Sequence, residues 1–323
     1  MAAAPDRYDP PLVDLRSVSA ENLGPVLDEE IAAWRTELDW DLRASAELVR
    51  RFVHMQALNG FALRRGREIA GYSYHVCEDG KGLLGDVYMK REYCTEENEN
   101  ALIGASLDAI WRTPGIRRIE AQLMMISSPL RRSVPQQSLF RSYPRCFMDA
   151  PLSNLARLPA RPAAGIAIER WQESRQDDTA RLIAAAYRGH VDSLINDQYR
   201  SPGGARRFLT NIVQYPGCGT FFAPASYAAA DAASGELRGI SLSSLVSFDV
   251  GHITQICVAN SERGKGLGYE LMRHSMLALA AHGCRKVSLT VTVSNESAIR
   301  LYRQMGFTTL RDFAAYVWDL GNR

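Results

Sequence analysis

ICVANSERGKGLGYELMRH, residues 256–274, runs from an apolar stretch through a short polar break and three glycines spaced by single residues into an amphipathic helix pattern. A Walker loop needs GxxxxGK[ST], which is absent, and a dinucleotide fingerprint needs a third glycine where Tyr269 stands. What remains is RxxGxG after a strand that stops near Ala259. Glycine lets the main chain approach a ligand with its N–H groups exposed. At a helix amino terminus those groups and the helix dipole favour phosphate, and Arg263 and Lys265 add positive charge. A glycine-rich surface turn is the competing reading of the triplet taken by itself.

Around this stretch the composition is ordinary. The chain has 323 residues, 46% hydrophobic and 23% charged, a length natural for two domains of roughly 150 residues each. No apolar run approaches the ~18 residues of a membrane span, and MAAAPDRYDPP at the start lacks the basic and apolar regions of a secretory signal. The expectation is a cytoplasmic protein without a membrane partner. Its six cysteines include no CxxC pair and its six histidines no HExxH, so reduced, mostly buried thiols and no metal site are expected. A net charge of +2 gives no electrostatic argument for a nucleic-acid partner.

Strand-like and helix-like segments alternate twice, with a break at APLSNLARLPARPAAG, residues 150–165, whose three prolines suit a linker. In the first half, 13–18 reads as a strand, 20–56 as helical, and 61–64, 68–77 and 82–90 as strands. In the second, 165–171, 220–230, 237–250 and 251–260 read as strands and 177–194 and 204–212 as helices. Sliding one half along the other tests for a repeat. At an offset of 169 Cys94 meets Arg263 and Leu102 meets Leu271, and after one inserted residue near Pro114 IRRIEAQLMM lies on CRKVSLTVTV. The chain reads as two copies of one fold.

A second motif lies at the distance another strand and helix require: NESAIRLYRQMGF, residues 295–307. With this pair of motifs the sequence resembles the GNAT superfamily of acyl-CoA N-acyltransferases, in which a [QR]xxGx[GA] loop holds the coenzyme A pyrophosphate and an NxxAxxLYxxxGF helix flanks the thiol end. Asn295, Ala298, Leu301, Tyr302, Gly306 and Phe307 stand at that spacing. The resemblance covers the second half nearly whole and implies an α+β fold: two GNAT-like domains in tandem, each a mixed, mostly antiparallel sheet flanked by helices. The implied boundaries are a first domain at 1–155, a linker at 156–164 and an acetyl-CoA-binding domain at 165–323. RGKGLG falls on CTEENE, residues 94–99, whose carboxylates would repel a diphosphate, and Asn295 and Tyr302 fall on Ser127 and Val134. The first domain is therefore expected to keep the fold without the cofactor site.

The resemblance implies N-acetyl transfer from acetyl-CoA to an amine, with a small-molecule acceptor; an acetyl-CoA-binding sensor without turnover is the alternative, and an oligomer stays open. Cofactor contacts are implied at Arg263, Gly264, Lys265, Gly266, Leu267 and Gly268, at the backbone of Ile256 and Val258, and at Asn295, Ser297 and Tyr302. Tyr302 takes the family position of the acid that protonates the departing thiolate. Strand alternation puts His252, Thr254, Ile256 and Val258 on one face and Gln255 and Cys257 on the other. His252 then stands where relatives carry a Glu or His base, with a satisfied structural histidine as the other reading. YRGHVDSLINDQYRSPGGARRF, residues 187–208, lies where the family covers the acceptor, so Tyr187, His190, Asp192, Asn196 and Tyr199 are candidates for reading it.

Overall fold

The computed structural model describes residues 11–215 and 217–321; the amino-terminal stretch 1–10 used above for the export reading lies outside the described residues. Along the first half run β1 (Leu12–Asp14), α1 (Ala20–Leu38), α2 (Arg43–His54), β2 (Gly60–Arg65), β3 (Glu68–Glu78), β4 (Lys81–Met89), α3 (Glu96–Trp111), β5 (Arg118–Leu123) and β6 (Phe140–Pro151). The second half continues with β7 (Ile166–Arg170), α4 (Gln176–Ala186), α5 (Asp192–Ile195), α6 (Pro202–Gln214), β8 (Thr220–Phe221), β9 (Tyr227–Asp231), β10 (Leu237–Ser247), β11 (Val250–Val258), α7 (Leu267–His282), β12 (Lys286–Thr292), α8 (Glu296–Gln304) and β13 (Thr308–Asp319).

The repeat is visible in the element bounds. β4 and β11 begin 169 residues apart, and β5 and β12, and β6 and β13, begin 168 apart. The helical expectation for 20–56 resolves into α1 and α2 with a break at 39–42, opened by Asp39 at φ 55°. The strand expected over 220–230 is interrupted around Pro224 by a 3-10 turn, as a residue without an N–H requires inside a ladder. The expected helix 177–194 ends at Ala186, before Gly189 at φ 73°, and the strand expected at 13–18 gives way after Asp14 to a 3-10 turn.

The chain packs as two compact units that are not its two halves. Unit one takes the chain up to Trp34, Arg43–Ser142 and the chain from Phe313 onward; unit two takes Arg35–Leu42 and Tyr143–Asp312. In unit one the strand order is β1-β2-β3-β4-β5, closed by the Ala314–Asp319 part of β13 antiparallel to β5. In unit two it is β6-β12-β11-β10-β9-β7, with β8 on β10. Each sheet is antiparallel except for one parallel pair, β4 with β5 and β11 with β12. Each half thus ends in the strand that completes the other unit's sheet.

Unit two buries Val287, Leu289 and Val291 of β12 against Met272, Met276 and Leu279 of α7 and Ile299 of α8. The alternate residues Ser288, Thr290 and Thr292 face the other way, as period-two patterning requires. On β11 that alternation is broken. Gln255 pairs with Leu242 but Ile253 pairs with Ser243, so Thr254 is an extra residue, a bulge, and its hydroxyl donates to the Ser244 Oγ at 2.9 Å. A one-residue insertion reverses every side chain beyond it. His252 therefore shares a face with Gln255 and Cys257, and not with Ile256 and Val258, contrary to the unbroken alternation read from the sequence.

The expectation of His252 as base fails on this geometry. A segment of unit two that precedes α2 in sequence, residues 35–42, is pinned by Asp39 to Arg285 and Lys286 and by the Asp41 N–H to the Val246 carbonyl. Trp40 in that segment and Phe147 flank the imidazole at centroid distances of 5.1 and 6.0 Å. Nδ1 shares a hydrogen bond with the Ser288 hydroxyl at 2.9 Å, and the side chain is buried. Burial pushes its pKa down to about 3. An imidazole so placed is neutral throughout the physiological range and is a poor proton acceptor.

The consequence is a stability term with a definite sign. The unfolded chain takes a proton near pH 6.5, the folded one only near 3, so the fold loses up to about 1.4 kcal/mol per pH unit as pH falls through that window. Denaturation of His252→Gln between pH 7 and 4 should show a shallower loss than the wild type. Equal slopes would mean that His252 titrates normally in the fold.

Candidate functional site

The parallel ladder between β11 and β12 covers only Val250–Ile253 against Lys286–Leu289. Beyond it β11 continues to Val258 on β10 alone, while β12 stays on β6 to Thr292, so the two strands part at the bulge. A cavity of about 780 Å³ opens there. Its wall brings together Tyr187, His190, Ile256, Val258, Arg263, Gly264, Gly266, Gly268, Asn295, Ser297 and Tyr302. Of the residues read from the sequence, His252, Lys265, Leu267, Asp192, Asn196 and Tyr199 do not line it.

Gly264 and Gly266 have φ of 78° and 87°, the left-handed region that a side chain disfavours by about 1–2 kcal/mol. They turn the chain so that Gly266 caps α7 without a side chain. The N–H groups of Gly266, Leu267, Gly268 and Tyr269 find no acceptor among the described residues; the first helical bond is from Glu270 back to the Gly266 carbonyl. Of these four residues Gly266, Gly268 and Tyr269 line the cavity, at the positive end of a sixteen-residue helix. Arg263 adds a guanidinium that donates to the Ala186 carbonyl at 2.6 Å. Lys265 is 61% exposed, 3.5 Å from Glu262.

Sequence reasoning missed Arg161. It lies in the stretch read as a linker, yet the linker is fastened to α7: Pro159 and Leu158 carbonyls accept from the Tyr269 hydroxyl and the Arg273 Nε, both at 2.9 Å, and the Arg161 N–H donates to Glu270. The Arg161 guanidinium sits 4.3 Å over the Tyr269 ring and lines the cavity. An arginine in a proline-rich segment carries no signal of this in one dimension.

Asn295 is first a helix cap: its Oδ1 accepts from the Ala298 N–H at 3.3 Å and from the Ser297 hydroxyl at 3.2 Å. That cap starts α8, whose buried Ile299 and Tyr302 are one turn apart. Tyr302 packs on Phe307, and its hydroxyl has no hydrogen-bond partner among the described residues. Burial, and secondarily the Asp192 carboxylate, raise its pKa above the ordinary phenol value, so it stays protonated at neutral pH. Cys257, also in the wall, is pushed up to about 12 by burial and is therefore a thiol, not a thiolate nucleophile.

Opposite α7, Gln255 ties two stacked tyrosines. It donates to the Tyr187 hydroxyl at 2.9 Å and accepts from that of Tyr199 at 3.2 Å, and Tyr187 donates on to the Ile256 carbonyl at 3.3 Å. Asn196 caps the turn that carries Tyr199, accepting from the Gln198 N–H.

Unit one repeats the frame with a different start to its helix. Gly85 is its bulge, β4 pairing Asp86 with Tyr74 and Leu84 with His75. At the start of α3, however, the Thr95 hydroxyl accepts from the Asn98 N–H. Glu99, aligned with Gly268 in the repeat, accepts from the Ser127 N–H and hydroxyl and from Arg132 at 2.9, 2.5 and 3.0 Å. Glu99 is thus held by Ser127 and Arg132.

Residues 169–307 match the Acetyltransferase (GNAT) family. N-alpha-acetyltransferase MAK3 of Arabidopsis thaliana is 37% identical over 57 residues, 18% of this chain and 30% of that protein. The curated relatives are matched over 19% to 42% of their own lengths. Among solved structures, a GCN5-related N-acetyltransferase from Sphaerobacter thermophilus superposes with a TM-score of 0.68 at 18% identity, covering 98% of this chain and 97% of that one. A tandem GNAT protein from the clavulanic acid biosynthesis pathway, without AcCoA, gives 0.62 at 16% identity, covering 97% and 99%. The glycine loop, the parted strands and the capped tyrosine helix that meet in one cavity all lie within the stretch 169–307 that matches the Acetyltransferase (GNAT) family.

Proposed function

We propose that residues 165–323 form an acetyl-CoA-dependent N-acetyltransferase that acetylates the amine of a small molecule by direct attack. The observation that carries this reading is the row of bare N–H donors from Gly266 to Tyr269 opening onto the cavity that also holds the unpartnered Tyr302 hydroxyl. The donors and the Arg263 and Arg161 guanidinia suit a diphosphate. The edge of β11 beyond Ile253, unpaired on the β12 side, suits an extended amide-bearing arm that adds to it like a strand.

In the transfer, the amine nitrogen attacks the thioester carbonyl and the carbon–sulfur bond breaks. Tyr302, protonated at neutral pH, donates a hydrogen bond to the sulfur as charge builds on it. A phenol with a raised pKa is a weaker acid than a thiol, so the proton crosses only as an N–H proton of the addition intermediate restores the hydroxyl. Cys257, held as a thiol, argues for direct attack over an acyl-cysteine route. His252, neutral and away from the cavity wall, is no part of the reading.

For the first domain, residues 1–155 with the 156–164 linker following, the proposal is a GNAT fold without a cofactor site. The Glu99–Arg132–Ser127 network supports it, since binding a diphosphate there would first require expelling a buried carboxylate.

Two variants test the reading. Gly266→Asp has open space for its side chain, so it should fold; it sets a carboxylate among the donors and adds left-handed strain, so coenzyme A affinity measured by calorimetry should drop tenfold or more, about 1.4 kcal/mol. Unchanged affinity in the folded variant would remove the loop from the site. Tyr302→Phe should keep that affinity and lower kcat in a thiol-release assay by about tenfold or more; wild-type turnover would leave Tyr302 as packing alone.

A further inference from the structure

Glu30 belongs to the unit-one part of α1, and its side chain is fully buried. Oε2 accepts from the hydroxyl of Tyr72 on β3 at 2.7 Å, whereas Oε1 is buried with no N–H or hydroxyl donor in bonding geometry. What meets Glu30 from β4 is another carboxyl: Asp86 takes the Val87 N–H on Oδ1 at 2.8 Å and shares a hydrogen bond with Glu30. An ionised carboxyl can only accept, so two of them bond to each other only through a proton that one carries. Without it, two negative charges would stand together away from water, one of them with an acceptor unused.

The neighbours supply no cation to relieve this. Tyr72 and Tyr74 face the pair from β3, and Trp34 stands one turn beyond Glu30 on α1. Glu29 is engaged elsewhere, by the Tyr88 hydroxyl and the Arg91 N–H. Burial first, and then the Asp86 charge, hold Glu30 well above the usual carboxyl range, and burial raises Asp86 as well. Asp86 also stands at a telling place in the repeat. It is the first residue past the β4 bulge, as Gln255 is on β11. Gln255 donates to one tyrosine hydroxyl and accepts from another. An amide does both at any pH; a carboxyl donates only while it holds a proton.

We propose that Glu30 and Asp86 hold one proton between them at neutral pH, and that this shared proton is an alkali-sensitive fastening of α1 to the sheet of unit one. Asp86 is half-buried rather than sealed, which gives the proton a route to solvent. The sign follows from the raised folded values. In the unfolded chain both carboxyls ionise near pH ~4, while the folded pair keeps its proton to higher pH. The fastening is complete below that value and is lost as pH rises through the folded one.

Denaturation of the wild type is compared with that of Glu30→Gln, whose amide donates to Asp86 and accepts from Tyr72 without titrating. His252 titrates alike in both and cancels from the ratio. The unfolding constant of the wild type relative to the variant should grow threefold or more, and at most about tenfold, for each unit of pH between about 5 and 7. A ratio that stays flat, or that falls, would overturn the proposal. Infrared spectra in heavy water at neutral pH give a second readout. The wild type should show the carbonyl stretch of a protonated carboxyl, and Glu30→Gln should lose it. A band that survives in the folded variant places the proton elsewhere and overturns the assignment. If Glu30→Gln does not fold, the wild-type band decides alone: its presence at neutral pH sustains the shared proton, and its absence there overturns it.

Discussion

One extra residue in β11 governs the site. Thr254 interrupts the ladder with β10 just where the ladder with β12 stops. The bulge turns Gln255 and Cys257 toward the tyrosines and leaves Ile256 and Val258 on the α7 side, packed with Leu267 and Leu271. Strands that part cannot satisfy each other's backbone groups, and here the Tyr187 hydroxyl takes up one of them, donating to the Ile256 carbonyl. The cavity, the amino-terminal end of α7 and the Tyr302 hydroxyl are all arranged around that parting.

The two units share a frame and differ at the start of one helix. Both have the strand bulge, the following turn and a sixteen-residue helix. In unit two the helix begins at a glycine with no side chain to cap it, so its donors stay bare. In unit one the Thr95 hydroxyl caps the helix by accepting from the Asn98 N–H, and Glu99 reaches Ser127 and Arg132. The difference is local; apart from β8 on β10, the order of the corresponding strands is the same.

Much of this could be read in one dimension. The RxxGxG turn and the Asn295 to Phe307 spacing are local signals, because left-handed φ and a helix cap each depend on a few consecutive residues. The repeat offset was legible because apolar spacing in α3 and α7 records the same packed face. His252 was misplaced because alternation is a local rule and a bulge is decided by pairing with another strand. Arg161 carries no spacing signal, since its neighbour at the site, Tyr269, lies about 100 residues away in sequence.

Short-range periodicity and backbone preference were enough to read the two-fold repetition, the glycine turn and the tyrosine helix from the chain alone. Tertiary structure alone decided which unit each strand completes, with β6 on β12 and the end of β13 on β5. It also decided that Trp40 and Phe147 shut His252 away, and that the carboxyls of Glu30 and Asp86 meet. Those outcomes depend on which distant segments share space, and burial acts on a side chain's charge only after that choice is made.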